Sequence, residues 1–148
     1  MKINIIEGKW VGHLKYDQGY PLELQAKYVS FEMNIFLDGI NINGTWIDEH
    51  TIHHHLDPST FEGTFVDDII HFTKTRSHDI VFDPVKKKLG ITNEAGIPVL
   101  YSGRLRKKIF SAQYYFKGKC CFTLNYTDKA GNAKSHDFKG LWSMKRNG

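Results

Sequence analysis

The sequence has few cysteines, which could form stabilising disulfides, and few prolines, which interrupt strands and helices. Its 148 residues include two cysteines and four prolines. The cysteines, Cys120 and Cys121, are adjacent, and neighbours on a strand point to opposite faces, so geometry disfavours a bond between them. We expect one buried and one exposed thiol in a reducing compartment. The prolines all fall between predicted strands, where a sheet tolerates them.

Long apolar runs are missing as well. No window reaches the roughly 18 apolar residues that span a bilayer. The N-terminal apolar stretch is too short for a secretory signal and ends at Glu7. The sequence therefore predicts no membrane partner and, for a chain without a cleaved leader, a cytoplasmic location.

Recognisable catalytic motifs are absent. The sequence has no Gly-x-Ser-x-Gly, no His-Glu-x-x-His and no phosphate-binding loop. No pair of carboxylates suggests acid-base chemistry, because Asp67-Asp68 is typical of a hairpin turn. We therefore predict a protein without enzymatic activity, while a barrel enzyme of unknown reaction, built from scattered residues, stays open.

The charge is only mildly basic. Twenty Lys and Arg residues against sixteen Asp and Glu residues give a net charge of +4. This excess is smaller than a nucleic-acid-binding protein usually has, so nucleic acid is not an expected partner. The main basic clusters, 86–88 and 104–108, are interpreted as solvated turns and strand edges, where lysine blocks aggregation. A phosphate-binding patch is the alternative for these clusters, and an interaction domain that uses the basic strand 104–108 to bind an anionic partner is a further functional hypothesis.

Aromatic residues, by contrast, make up 14% of the chain and alternate with polar ones. In the second predicted strand, for example, Phe31, Met33 and Ile35 share one face. Strands are predicted at 10–16, 24–37, 40–48, 60–66, 69–76, 99–107, 110–116, 120–126 and 135–145. Segments 38–39, 67–68, 117–119 and 128–132 are predicted turns, 49–58 is a predicted loop, and 83–90 is either a short helix or an irregular hairpin.

These short connections between strands predict the fold. We expect an all-β protein with one domain over residues 1–148, an up-and-down antiparallel β-barrel of eight to ten strands. Eight strands enclose space for side chains or one small ligand. A β-sandwich is the alternative.

A glycine two residues before an aromatic ring recurs on four strands, at 8–10, 44–46, 63–65 and 140–142. Alternating small and large residues suit the taper of a barrel. The first unit, Gly8-Lys9-Trp10, resembles the Gly-x-Trp opening of lipocalins and other calycins. That resemblance implies a central ligand cavity and a structural, barrel-closing pair of Trp10 and Arg146. Because the lipocalin disulfide is missing, the chain is more similar to intracellular fatty-acid-binding proteins or bacterial calycin-like proteins of unassigned function.

Two other barrel families share features of this opening. Avidin-like barrels repeat Gly-x-Trp, but their biotin-contact motifs are not visible here. Nitrobindin-like haem barrels also open in this way and soon reach Tyr-Pro, which the chain has at Tyr20-Pro21. That resemblance implies haem as a cofactor, held by a late histidine, for which His136 is the candidate.

Histidines cluster at positions 50, 53, 54 and 55. We interpret them as a polar loop at the barrel rim, with a pH-sensitive lid as another reading. His53 and His55 share a face and are weak candidates for metal ligands, but no metal site is predicted.

The leading functional hypothesis is non-catalytic binding of a small apolar molecule inside the barrel. The cavity candidates are the inward-facing residues Met33, Ile35, Trp46, Phe72, Tyr114, Phe122 and Trp142. A barrel filled by its own rings is the competing outcome. The sequence carries no signal for the oligomeric state.

Overall fold

The computed structural model describes residues 3–25, 27–53, 55–76, 80–83, 88–91, 97–111 and 113–146. The helices are α1 (Ile3–Ile6) and α2 (Glu49–His53). The strands are β1 (Gly8–Tyr16), β2 (Tyr28–Asp38), β3 (Asn41–Asp48), β4 (Ser59–Val66), β5 (Ile69–Thr75), β6 (Ile80–Asp83), β7 (Lys88–Ile91), β8 (Val99–Lys107), β9 (Tyr114–Thr127) and β10 (Ala133–Arg146). No helix among these residues is long and apolar enough to cross a membrane.

Eight of the strands form one closed antiparallel barrel. Their order around the barrel is β1-β10-β9-β8-β5-β4-β3-β2, so each strand pairs with its neighbour in the chain once β6 and β7 are set aside. Strands β6 and β7 form a separate two-stranded sheet. The predicted all-β, up-and-down barrel is therefore confirmed.

The barrel has two different ends. The closed end carries α1 and the hairpins that follow β2, β4 and β8. The opposite end, which we call the open end, carries segment 17–25, α2 and the β9–β10 hairpin.

At the closed end, α1 is held by the two residues that the calycin resemblance pairs. Trp10 and Arg146 are partners in the β1–β10 register. The indole Nε1 of Trp10 donates a hydrogen bond to the carbonyl of Ile6 at 2.8 Å. Arg146 donates through Nη1 to the carbonyl of Ile5. These bonds satisfy carbonyls that a one-turn helix leaves without partners.

Aromatic rings fill the middle of the interior. Trp46 stacks on Phe31 with ring centroids 3.9 Å apart, and Phe72 stacks on Tyr101 at 4.7 Å. Trp46 also lies 5.1 Å from Tyr101, which joins the two stacks. Contacts at these distances leave no room for a ligand between the rings.

Two predicted turns take the backbone form that their sequences favour. Gly39 has φ +64°, and both Asp67 and Asp68 also have positive φ. Positive φ at the central residues matches the right-handed twist of a hairpin.

Other local predictions are wrong. Segment 49–58 was expected to be a loop, but α2 forms at Glu49–His53. Segment 117–119 was expected to be a turn, but it lies within β9, where Gly118 pairs with both Gly103 and Trp142. Pairing on both sides outweighs the turn preference of Lys-Gly-Lys.

Strand boundaries also differ from the prediction. Strand β2 begins at Tyr28 instead of position 24, and β9 begins at Tyr114 instead of position 110. In the ambiguous segment 83–90, Asp83 pairs with Lys88 in a hairpin, so the helix alternative is wrong. The intervening residues 84–87 lie outside the described residues.

Close packing around Gly63 allows a test of the barrel register. A Cβ atom at Gly63 would lie 1.8 Å from the carbonyl oxygen of His71 on β5. We expect Gly63→Ala to lower the free energy of unfolding by about 1–3 kcal/mol, because strands β4 and β5 would have to separate. Urea denaturation measures the change.

The matched control is Gly39→Asn, at a turn with φ +64° and no atom within 4 Å of the added Cβ. Asparagine tolerates positive φ, so the loss should stay below about 1 kcal/mol. Equal losses at the two positions would contradict the register.

Candidate functional site

The alternation of β5 carries charged residues into the barrel. Phe72 and Lys74 are both buried, whereas the intervening Thr73 is only partly buried. Arg76 follows with the same parity just after the strand ends. At the end of β3, Asp48 is buried as well. We call Asp48, Lys74 and Arg76 the buried charge cluster.

Asp48 is fixed by the helix that follows it. Its Oδ1 accepts hydrogen bonds from the backbone N–H of Thr51 at 3.0 Å and from the Thr51 hydroxyl at 3.1 Å. The Thr51 hydroxyl oxygen accepts in turn from the backbone N–H of Asp48. Asp48 is thus the N-cap of α2, in a reciprocal arrangement of the capping-box type.

The second carboxylate oxygen of Asp48 faces the barrel interior. Oδ2 accepts from Trp46 Nε1 at 3.1 Å and forms an ion pair with Arg76 Nη2 at 2.9 Å. Burial alone would raise the pKa of Asp48, but the Arg76 and Lys74 cations outweigh it and hold that pKa well below its usual range. The carboxylate is therefore ionised at neutral pH.

Arg76 is only partly satisfied by this ion pair. Its side chain is 16% exposed, but its Nη1 atom is buried and has no hydrogen-bond partner within the described part of the chain. Burial would lower the pKa of Arg76, yet Asp48 outweighs it and raises the pKa, so the guanidinium is permanently charged. A buried, charged N–H group without a hydrogen-bond partner costs desolvation free energy. An acceptor that bonds to it would remove this cost.

Lys74 is the most deeply buried cation. Its side chain is 1% exposed, and its Nζ lies 4.2 Å from the ring centroid of Trp46 and 5.1 Å from that of Tyr101. These are cation–π distances. Burial, aided by the Arg76 cation and opposed by Asp48, lowers the pKa of Lys74 from 10.5 to about 7. Near neutral pH the amine is therefore close to half protonated.

A group of aromatic rings lies near the buried charge cluster, at the open end. Phe122 stacks on Phe138 at 4.6 Å, and Tyr20 packs edge-on against Phe138 at 5.0 Å. These three residues, which we call the aromatic rim, are each partly buried. Tyr16 connects the rim to the cluster: its ring lies 4.6 Å from Tyr20, and the Arg76 charge acts on its hydroxyl.

Hydroxyl and thiol groups around the cluster stay protonated. Burial raises the pKa of Tyr16, Tyr20 and Tyr101 above the usual tyrosine range. Burial also raises the pKa of the Cys120 thiol to about 12. Cys120 is therefore an inert buried thiol and Cys121 is exposed, which confirms the expected arrangement of the two cysteines.

The seven predicted cavity residues lie in different parts of the barrel. Met33, Ile35, Trp46, Phe72 and Trp142 belong to the ring-filled core. Tyr114 packs against that core from its edge. Phe122 alone among the seven belongs to the aromatic rim at the open end.

The predicted histidine sites lie apart from one another. His53 ends α2 and His55 follows with φ +54°, both exposed, and His54 lies outside the described residues. No group of three metal-ligating side chains occurs in the described ranges. The Nε2 atom of His136, the haem candidate, lies 2.7 Å from the carbonyl of Gly19. This hydrogen bond joins the start of β10 to the segment that follows β1.

Sequence reasoning missed the buried charge cluster although two signals were present. The alternation that placed Ile70 and Phe72 inward continues to Lys74 and Arg76. The spacing of Asp48 and Thr51 is that of a helix N-cap. Neither signal shows that Asp48 and Arg76 meet, because β3 and β5 are not paired with each other.

The low pKa of Lys74 predicts a pH-dependent stability. The group has a pKa of 10.5 when exposed and about 7 when folded, so between these values the unfolded chain binds more protons. The free energy of unfolding should therefore rise with pH from about 7, by at most about 1.4 kcal/mol per pH unit. Urea titrations between pH 7 and 9 measure this slope.

Lys74→Met should lose the slope, whereas Lys134→Met, at an exposed lysine of β10, should keep it. The range stops at pH 9 because ionisation of Cys120 in the unfolded chain opposes the rise above that value. A flat profile for the unsubstituted protein would contradict the burial of a titrating lysine.

No protein-family model, curated protein or solved structure matches this chain. The geometry of the open end is therefore the basis for the function proposed below.

Proposed function

We propose that the protein binds, without catalysis, a small and largely apolar molecule that carries an acidic group. The acidic group would lie at the buried charge cluster, and the apolar part would lie against the aromatic rim. The single observation that carries this proposal is the buried Nη1 atom of Arg76, which lacks an acceptor in the described part of the barrel. A carboxylate oxygen of a ligand is the acceptor that a guanidinium prefers.

The charge balance of the cluster supports an anion. Lys74 and Arg76 supply two positive charges when Lys74 is protonated, and Asp48 supplies one negative charge. One positive charge then stays uncompensated in a region of low dielectric, which is unfavourable. A bound carboxylate would neutralise it, and would also favour the protonated form of Lys74.

The aromatic rim supports an apolar body for the same ligand. Phe122, Phe138 and Tyr20 are partly exposed and lie at the open end. Because rings fill the core, we propose that a ligand lies against the aromatic rim instead of between the core rings.

Two broader proposals accompany this one. The closed eight-stranded barrel is compatible with a calycin-like fold, and we propose that relationship on the Trp10–Arg146 contact with α1. The free thiols of Cys120 and Cys121 support a reducing compartment, for which we propose the cytoplasm.

Native mass spectrometry of freshly purified protein is the first test. A small acidic molecule retained under native conditions, and released on denaturation, would support the proposal and identify its class. Repeated absence of any added mass would count against the proposal.

A matched pair of ligands tests the role of Arg76. We expect the protein to bind a fluorescent polyene fatty acid more tightly than its methyl ester. Arg76→Met should weaken binding of the acid about 10- to 100-fold, as expected for a lost charge-assisted hydrogen bond, and should change binding of the ester little. Fluorescence titration measures both affinities.

Two further variants keep the test decisive. Arg76→Lys retains the charge beside Asp48 but loses the planar fork, so a loss of acid binding in a folded Arg76→Lys protein separates recognition from stability. Arg104→Met, at an exposed arginine of the closed end, is the control and should bind normally. Equal affinity of the unsubstituted protein for acid and ester, or no binding of either, would overturn the proposal.

A further inference from the structure

The hairpin between β8 and β9 presents two apolar side chains to solvent. Phe110 is fully exposed and Ile109 is 81% exposed. Phe110 also has φ +64°, a conformation that bulky residues rarely adopt. Exposure of the aromatic ring to water is unfavourable, and the positive φ adds backbone strain. Backbone outliers of this kind cluster at functional sites. We call Ile109 and Phe110 the closed-end tip.

Adjacent hairpins of the closed end add to this apolar surface. Ile40 and Val66 are 56% and 43% exposed, at the turns that follow β2 and β4. A hydrogen bond of 2.8 Å from Phe65 N to the carbonyl of Ile40 joins those two turns. The backbone N–H of Leu105 donates to the carbonyl of Asp68, which joins the second turn to β8. The three hairpins are thus neighbours at one end of the barrel.

Basic side chains flank the tip. Arg104, Arg106, Lys107 and Lys108 occupy the strand that leads into it, and all four are exposed. Arg104 is moreover the cross-strand partner of Lys117. Like charges placed opposite each other on neighbouring strands repel, so an external anion would stabilise this pair.

Acidic residues at the same end are fewer. Asp38, Asp67 and Asp68 belong to the two neighbouring hairpins, and Asp68 has a further interaction. Glu7 follows α1, and its Oε1 accepts a hydrogen bond from the backbone N–H of Leu37. Around the tip itself the charge is positive, because residues 104–117 contain five basic side chains and no acidic one.

We infer that the closed end of the barrel docks on the surface of a membrane that contains anionic lipids. Ile109 and Phe110 insert among the headgroups, while Arg104, Arg106, Lys107 and Lys108 face the lipid charge. Protruding apolar side chains bordered by arginine and lysine are suited to this interface, where binding combines apolar burial with attraction to acidic lipids. Peripheral docking of this kind needs no spanning segment, and it departs from the sequence-based expectation of no membrane partner.

A bilayer fits this surface better than a nucleic acid does. A nucleic acid would use the basic residues but would leave Ile109 in water, since phosphate and sugar contacts come from polar and charged groups. A bilayer uses both the apolar pair and the charges. Nucleic acid binding is therefore treated as a competing outcome of the experiment.

Vesicle co-sedimentation of the full chain tests the inference. We expect the protein to sediment with vesicles that contain phosphatidylserine and to stay in solution with vesicles of phosphatidylcholine alone. The double variant Ile109→Ser, Phe110→Ser should reduce partitioning at least about tenfold, because the inserted apolar area is lost. Its thermal unfolding should stay unchanged, since neither side chain packs in the core.

The matched control replaces exposed apolar residues of the open end. Leu22 and Ile52 are 83% and 67% exposed, and the variant Leu22→Ser, Ile52→Ser should partition like the unsubstituted protein. For the charges, Arg106→Glu should weaken binding and reduce its dependence on salt. Lys134→Glu, at the open end, should change binding less.

A second readout reports insertion directly. In a Phe110→Trp variant, the emission of the added indole should shift to shorter wavelength with phosphatidylserine vesicles and stay unchanged with phosphatidylcholine vesicles. Absence of this shift, or equal losses in the tip and control variants, would overturn the inference. If the protein binds a labelled oligonucleotide but does not bind the vesicles, the inference is also overturned.

Discussion

The pairing of β1 with β10 is the contact on which the rest of the structure depends. It joins the two ends of the sheet from Trp10 opposite Arg146 to Tyr16 opposite Gly140. Once the sheet is closed, alternate residues of every strand must face a common interior, whatever their polarity. Closure therefore explains both the ring-filled core and the presence of Lys74 and Arg76 inside the barrel.

Apolar rings and buried charges share the interior of the barrel. Stacked rings bury apolar surface and supply the main stabilisation. Asp48 caps α2 with one oxygen and pairs with Arg76 through the other, so one carboxylate links a surface helix to the buried charges. Buried ion pairs seldom stabilise a fold better than apolar residues of similar size would. The proposed ligand recognition gives these charges a role other than stability.

The two proposed partners are chemically related. An apolar molecule with an acidic group partitions into a bilayer and adds to its negative charge, and that is also the surface proposed to attract the closed-end tip. The proposed ligand site and the proposed membrane-docking surface lie at opposite ends of the barrel. A barrel resting on its closed end would therefore keep the aromatic rim and the buried charge cluster facing away from the lipid.

The amino-acid pattern by itself determined the strands, most of the turns and the closed barrel, because alternation and turn chemistry are local and agree along the whole chain. It also contained the inward parity of Lys74. Only the tertiary structure decided that Asp48 and Arg76 meet, since they come from strands that are not paired with each other. Pairing with the neighbouring strands likewise keeps Lys117-Gly118-Lys119 within β9 instead of forming a turn. The pairing of Lys107 with Tyr114 places Phe110 at the tip of a hairpin. The physical reason is the same in each case: periodicity fixes which way a side chain points, and closure of the barrel fixes what it faces.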